Sequence, residues 1–192
     1  PWRLMDPDGR AAALAAAHAE TAAALALADK ASPAERALIE ALQARYPRTE
    51  PMEDMRPWDR AFADAMREVH RRFPDDLDVV AIFAEAMLNV TPWKMWDLAG
   101  GRPNPKAMTE EAQALLEHAM ERIPGAMRHP GVLHLYVHLM EMSPTPEKAL
   151  KAGDVLRTLV PDAGHLVHMP THIDVLCGHY RDVMDWNWRA IE

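Results

Sequence analysis

The sequence predicts an all-α fold, an α-solenoid of antiparallel helix pairs stacked side by side. Three observations carry that expectation. Ala, Leu and Met dominate the apolar residues, with 13 Met against 3 Phe and only 8 Gly, a mixture that loses little on entering a helix. No stretch alternates Val, Ile and Thr in the manner of a half-buried strand. Two histidine pairs at helical i, i+4 spacing, His134/His138 and His168/His172, stand 34 residues apart. That is a period at which helix-turn-helix repeats stack. At 192 residues the chain is long enough for one domain with a sizeable core. We read it as a single helical repeat domain over 1–192, irregular through 108 and clearer over 109–192.

The elements follow in order. An Ala-rich helix is expected over about residues 9–29, after Asp8. The second opens at Ser32-Pro33-Ala34-Glu35, where Ser32 caps, Pro33 suits the first helical position and Glu35 completes a capping box. It runs to about Tyr46, before Pro47. A polar linker follows over Arg48–Arg56. Helices over about 58–72 and 76–90 stop at Phe73-Pro74 and Thr91-Pro92. Punctuated by Gly100, Gly101, Pro103 and Pro105, the stretch Pro92–Lys106 reads as a loop. Its Trp93 and Trp96 either wall a pocket or, the preferred reading, plug the end of the core. From Thr109 a repeat is legible. Ala112, Ala119 and Pro124 share offsets with Ala149, Leu156 and Pro161, and again with Val183 and Ala190. Gly178-His179-Tyr180 reads as an inter-helix turn, with Pro144, Thr145 as a cap and Pro146 at the matching places one unit earlier. One unit spans about 130–163 and the next begins at 164. A register shift of four residues places a small insertion around Gly125–His129.

Composition narrows the function. The net charge is −8 with acids and bases interspersed, which disfavours a nucleic-acid partner. No apolar run approaches the roughly 20 residues needed to span a bilayer. The lone Cys177 excludes an internal disulfide and reads as a small buried packing residue. The chain opens at Pro1 and closes at Glu192 inside a helical pattern, so it reads as a piece of something longer, and its compartment is not legible.

Seven of the ten histidines fall between His129 and His179. Numbered from Pro130, the residues His134, His138 and Glu141 occupy positions 5, 9 and 12. Numbered from Gly164, His165, His168 and His172 occupy positions 2, 5 and 9. Positions 2, 5, 9 and 12 share one helix face. Both rows are therefore expected to point into one groove from neighbouring helices about 8–10 Å apart. Neutral imidazole is the common nitrogen ligand of Zn, Cu and Fe. The expected primary ligands are His134, His138, His168 and His172. Glu141 and His165 would be further ligands, or a catalytic base and its orienter. A site of His and Glu without thiolate leaves room for an open coordination position. Six candidates exceed one tetrahedral shell, so either some orient the others or two ions bind. The competing reading is a polar groove that binds a peptide. His18, His70 and His118 read as ordinary surface or interface residues, His179 as solvated and His129 as marginal. Glu85, in an apolar helix, is a buried-acid candidate.

The segment His129-Pro130-Gly131-x-x-His134-x-x-x-His138-x-x-Glu141, followed by Ala163-Gly164-His165-Leu166-x-His168-Met169-Pro170-x-His172-Ile173, resembles a large family of bacterial tetratricopeptide-repeat proteins. Arg36-Ala37-Leu38-Ile39 and Pro92-Trp93-x-x-Trp96 are similar to other signatures of that family. The resemblance implies a tetratricopeptide-like α-solenoid and supplies no activity. From the residues, the expected function is a transition-metal site (Cu, Zn or Fe) in the groove, taking a small-molecule or peptide ligand. If catalytic, it would carry out metal-assisted hydrolysis or oxidation. The alternative is a peptide-binding repeat scaffold without catalysis.

Overall fold

The structure, a computed structural model, describes residues 5–191. It is all-helical apart from one two-residue ladder, and it forms two compact units, Pro1–Pro92 and Trp93–Glu192. Among the described residues no helix is long and apolar enough to cross a membrane.

In the first unit, α1 (Pro7–Ala26) is capped by Asp6, whose side chain accepts from the Gly9 amide at 2.8 Å. The helix begins at Pro7, before Asp8 rather than after it, and ends at Ala26 before a 3-10 turn over Ala28–Lys30. α2 (Pro33–Leu42) carries the expected capping box of Ser32 and Glu35 but stops short of Tyr46. α3 (Arg56–Arg72) starts inside the expected linker, because Pro57 is tolerated in its first turn. α4 (Leu77–Val90) is capped by Asp76. Phe62, Met66 and Val69 form the buried stripe of α3, and α4 buries nine residues. Glu85 is not one of them: it is exposed and accepts from Asn89 Nδ2 at 3.3 Å. The apolar neighbours of Glu85 fill the buried faces of α4 and leave it on the one open stripe.

In the second unit, the loop after Pro92 is pinned by β1 (Trp96–Asp97) pairing antiparallel with β2 (Arg102–Pro103). Trp96 is buried, and its indole N–H donates to the Leu139 carbonyl at 2.7 Å. It is the core plug. Trp93 is 47% exposed and lines a cavity, so the two tryptophans divide the two expected roles between them.

α5 (Thr109–Arg122) precedes Gly125, whose φ of +91° admits glycine readily, and a 3-10 turn over Ala126–Arg128. That turn occupies the expected insertion. α6 (Pro130–Met140) is capped by His129, whose Nδ1 accepts from the Val132 amide. A 3-10 turn over Pro146–Ala149 leads into α7 (Leu150–Leu159), and Thr145 makes no side-chain cap there. α8 (Gly164–His168) and α9 (Thr171–Leu176) replace the single helix expected from 164. Pro170 between them has no N–H to continue the ladder, and the Ile173 amide bonds back to the Pro170 carbonyl. α7 approaches this break closely because position 153 is glycine: a Cβ there would press against the Pro170 ring. Gly178, at φ +81°, turns the chain into α10 (Tyr180–Ala190).

α6 packs on α5, α7 and α9, and α10 packs on α8 and α9. Ala112, Ala119, Ala149 and Leu156 are fully buried at their repeat positions. Val183 and Ala190 are not, because α10 buries no residue. Cys177, expected to be buried, is half-exposed at the end of α9.

Beneath this surface lies an ion pair that the sequence patterns did not reveal. Arg157 on α7 donates twice to Asp174 on α9, at 3.0 and 3.2 Å, and both side chains are nearly fully buried. Arg157 also meets Asp154 and stacks over Trp186 of α10. It thereby ties three helices together.

Candidate metal centre

Seven of the eleven residues of α6 are buried, and its two histidines lie on the stripe left open. His134 and His138 are one turn apart there, with ring centroids separated by 4.6 Å. α8 supplies His165 and His168, and α9 supplies His172 across the Pro170 break. The break does not part the rings: His168 and His172 lie 4.9 Å apart between centroids, nearly perpendicular.

The two rows meet where His165 Nε2 lies 3.2 Å from His134 Nε2, and within the second row His172 Nε2 is 3.0 Å from His168 Nε2. His134, His138 and His165 each offer a nitrogen within 4.8 Å of the other two. Glu141, at the end of α6, bridges the rows: its Oε1 lies 3.0 Å from His138 Nδ1 and its Oε2 2.5 Å from His172 Nδ1. All six residues singled out from the sequence are thus brought into one continuous cluster. His118 and His179 are exposed, and His18 and His70 lie in the first unit. His18 Nδ1 bonds to the Tyr46 carbonyl and His70 stacks on Phe83.

Proton accounting decides what the cluster can hold. An ionised carboxylate only accepts, so His138 and His172 must each donate Nδ1–H to Glu141. His168 Nδ1 lies 2.6 Å from Asn187 Oδ1 on α10. The Asn187 amide cannot be reversed, because its Nδ2 donates to the Val183 carbonyl at 2.8 Å and to Thr171 Oγ1 at 3.3 Å. So His168 also donates through Nδ1. With the rings neutral, the Nε2 atoms of His168 and His172 are both lone pairs, and they face each other at 3.0 Å. Two acceptors at that distance repel unless a proton or a metal ion lies between them, and the raised His172 favours the proton in metal-free protein. A tetrahedral ion with bonds of about 2.0–2.1 Å holds its nitrogens about 3.4 Å apart. The two Nε2–Nε2 separations are close to that value.

Electrostatics agree with the hydrogen bonds. Burial, with His138 and His165 as neighbours, pushes His134 down to about 4, so its ring is neutral at pH 7. Burial and the surrounding imidazoles push His165 down as well. Burial would raise Glu141, but hydrogen bonds from His138 and His172 outweigh it and hold the carboxyl at about 2. The same bond to Glu141 raises His172.

The signs give a testable pH profile. A histidine pushed down in the folded state contributes stability above its unfolded value of 6.5 that is lost as pH falls toward 4. Glu141 adds a second loss, from its ordinary 4.5 down toward 2. His172 works oppositely: its contribution is full below 6.5 and fades as pH rises through its elevated folded value. Chelator-treated protein melted at pH 4, 5 and 6.5 is therefore expected to lose thermal stability steadily toward pH 4. A melting temperature that rises toward pH 4 would contradict it.

Sequence reasoning missed Asn187. It sits inside α10 between two tryptophans, with no periodic partner to mark it. A second group, Asp174, His179 and Asp182, also brings its potential ligand atoms within 4.8 Å of one another, although Asp174 is already engaged by Arg157.

Comparison with protein-family models, with curated proteins and with solved structures gives no significant match for this chain. Its chemistry must be read from this arrangement of side chains.

Proposed function

We propose that this protein binds a transition metal through the histidines of α6, α8 and α9, on a helical-repeat frame of tetratricopeptide-like type. His134, His138 and His165 would hold one ion. His168 and His172 face a second position. Glu141 and Asn187 orient the rings through Nδ1, the arrangement that outer partners make with metal-bound imidazoles. In this reading Glu141 is an orienter more than a base, since both its oxygens are engaged, and His165 is a ligand. Three imidazoles leave a coordination position open, the pattern of catalytic rather than structural sites. Such a centre suits metal-assisted hydrolysis or, with copper or iron, oxidation. The repeat frame is supported by the 34-residue offset between the starts of α6 and α8, Pro130 and Gly164, repeated between Pro146, where the 3-10 turn leading into α7 begins, and Tyr180 at the start of α10.

The single observation that carries the proposal is the convergence of ring nitrogens, with those of His134, His138 and His165 within 4.8 Å of one another and the Nε2 atoms of His168 and His172 face to face, backed by Glu141 and Asn187. Calorimetric titration of Zn(II) and of Cu(II) into metal-stripped protein at pH 7 tests it. At least one ion is expected to bind with a Kd near 1 μM or tighter, about −8 kcal/mol. Affinity weaker than about 1 mM, roughly −4 kcal/mol, for both would leave a peptide-binding scaffold instead.

A further inference from the structure

Beside the histidine cluster lies a cavity of about 460 Å³. That is within the range of about 300–1,000 Å³ typical of small-molecule sites. Trp93, Val175, Leu176 and Val183 line it together with Glu141 and His172. Val175 is 45% and Leu176 53% exposed, so apolar side chains stand uncovered around a carboxylate that is only 8% exposed. Among the described residues no Lys or Arg lines the cavity, so apart from the position at His172 no positive charge of the chain faces a phosphate or another multiply charged anion there. Both oxygens of Glu141 are already taken by histidines, so the carboxylate is not waiting for a cationic ligand.

Trp93 adds an independent sign. It is the one non-glycine residue among those described with a left-handed backbone, at φ +55°. For a residue with a Cβ that conformation costs about 1–2 kcal/mol. Backbone strain of this kind clusters where a side chain is held for binding. Here it holds an indole against the cavity, while Trp96, three residues on, serves the core.

We infer that this cavity binds an uncharged, largely apolar small molecule bearing an aromatic ring, with a single donor end lying against His172. The ring is accommodated by Trp93, Leu176 and Val183. The placement of the donor end beside an ion rests on the metal reading above, whereas the apolar cavity does not.

Two measurements separate these parts. N-phenyl-1-naphthylamine, uncharged and fluorescent in apolar surroundings, is titrated into metal-stripped protein. Saturable binding near 10 μM or tighter is expected. Leu176→Glu, at a half-exposed position, should weaken it at least about tenfold with an unchanged circular dichroism spectrum. Trp93→Gly should weaken it as well, again with an unchanged circular dichroism spectrum. Non-saturable binding, or equal affinity in both variants, would overturn the cavity assignment. Benzohydroxamate and benzamide are then compared on zinc-loaded protein. The hydroxamate should bind at least about tenfold tighter, and only when zinc is present. Equal affinity would overturn the placement of the donor end. Failure to take up zinc would sink the metal reading alone and leave the naphthylamine titration to decide the cavity.

Discussion

Replacing His138 and His172 together with Ala is expected to weaken metal binding by about 1,000-fold or more. Even outer-sphere partners are worth about 10–100-fold each, and these two residues are proposed as ligands as well as partners of Glu141. The double variant removes one nitrogen from each row. It also strips Glu141, only 8% exposed, of both hydrogen-bond donors, so some loss of stability accompanies the loss of affinity. Glu141→Gln separates the two effects. It leaves every imidazole in place but cannot accept two Nδ1–H bonds symmetrically. It should cost only the 10–100-fold of an orienting residue. Calorimetry on the three proteins checks the ranking. An unchanged affinity in the double variant would refute the ligand set.

Asp174→Ala is expected to destabilise the second unit by about 3–5 kcal/mol, the typical cost of stranding one member of a buried ion pair. Arg157 would keep Asp154, which is largely exposed and lies at 3.0 Å, so the lower end of that range is expected. The stranded guanidinium matters because its Nε already lacks a partner. Urea unfolding followed by tryptophan fluorescence is the appropriate measurement. Four of the six tryptophans, Trp93, Trp96, Trp186 and Trp188, lie in the second unit. A companion Arg157→Met, Asp174→Leu protein should recover much of the loss, since an apolar replacement of a buried pair is often neutral or better. Should Asp174→Ala cost less than about 1 kcal/mol, the pair contributes no more than an exposed one.

The helical class and the six clustered residues were legible because both depend on periodicity. Spacing of i, i+4 fixes a helix face, and a 34-residue offset fixes which helices are neighbours, so four histidines and Glu141 could be placed without coordinates. His165 followed from the same face. What periodicity cannot show is a partner on an element with no matching residue. Asn187 comes from α10 and meets His168 only because α10 packs on α8. Arg157 and Asp174 look like two ordinary surface charges in sequence, and only the packing of α7 against α9 buries them. Pro170 was a visible signal of the break between α8 and α9. Its effect on the histidines was not readable, since a kink of unknown size between His168 and His172 could have parted the rings instead of preserving them. Glu85 shows the converse. An acid in an apolar run reads as buried, yet it lies on the single face that α4 leaves to solvent.

The account as a whole depends on imidazoles from both rows sharing an ion. X-ray absorption at the metal edge of the loaded protein measures that most directly. With one equivalent of zinc in the first site, three or more nitrogen neighbours at about 2.0–2.1 Å with imidazole multiple scattering are expected, falling by one in His165→Ala, which removes the contribution of α8 to that site. A shell of oxygen atoms only, or a spectrum identical in wild type and His165→Ala, would contradict it.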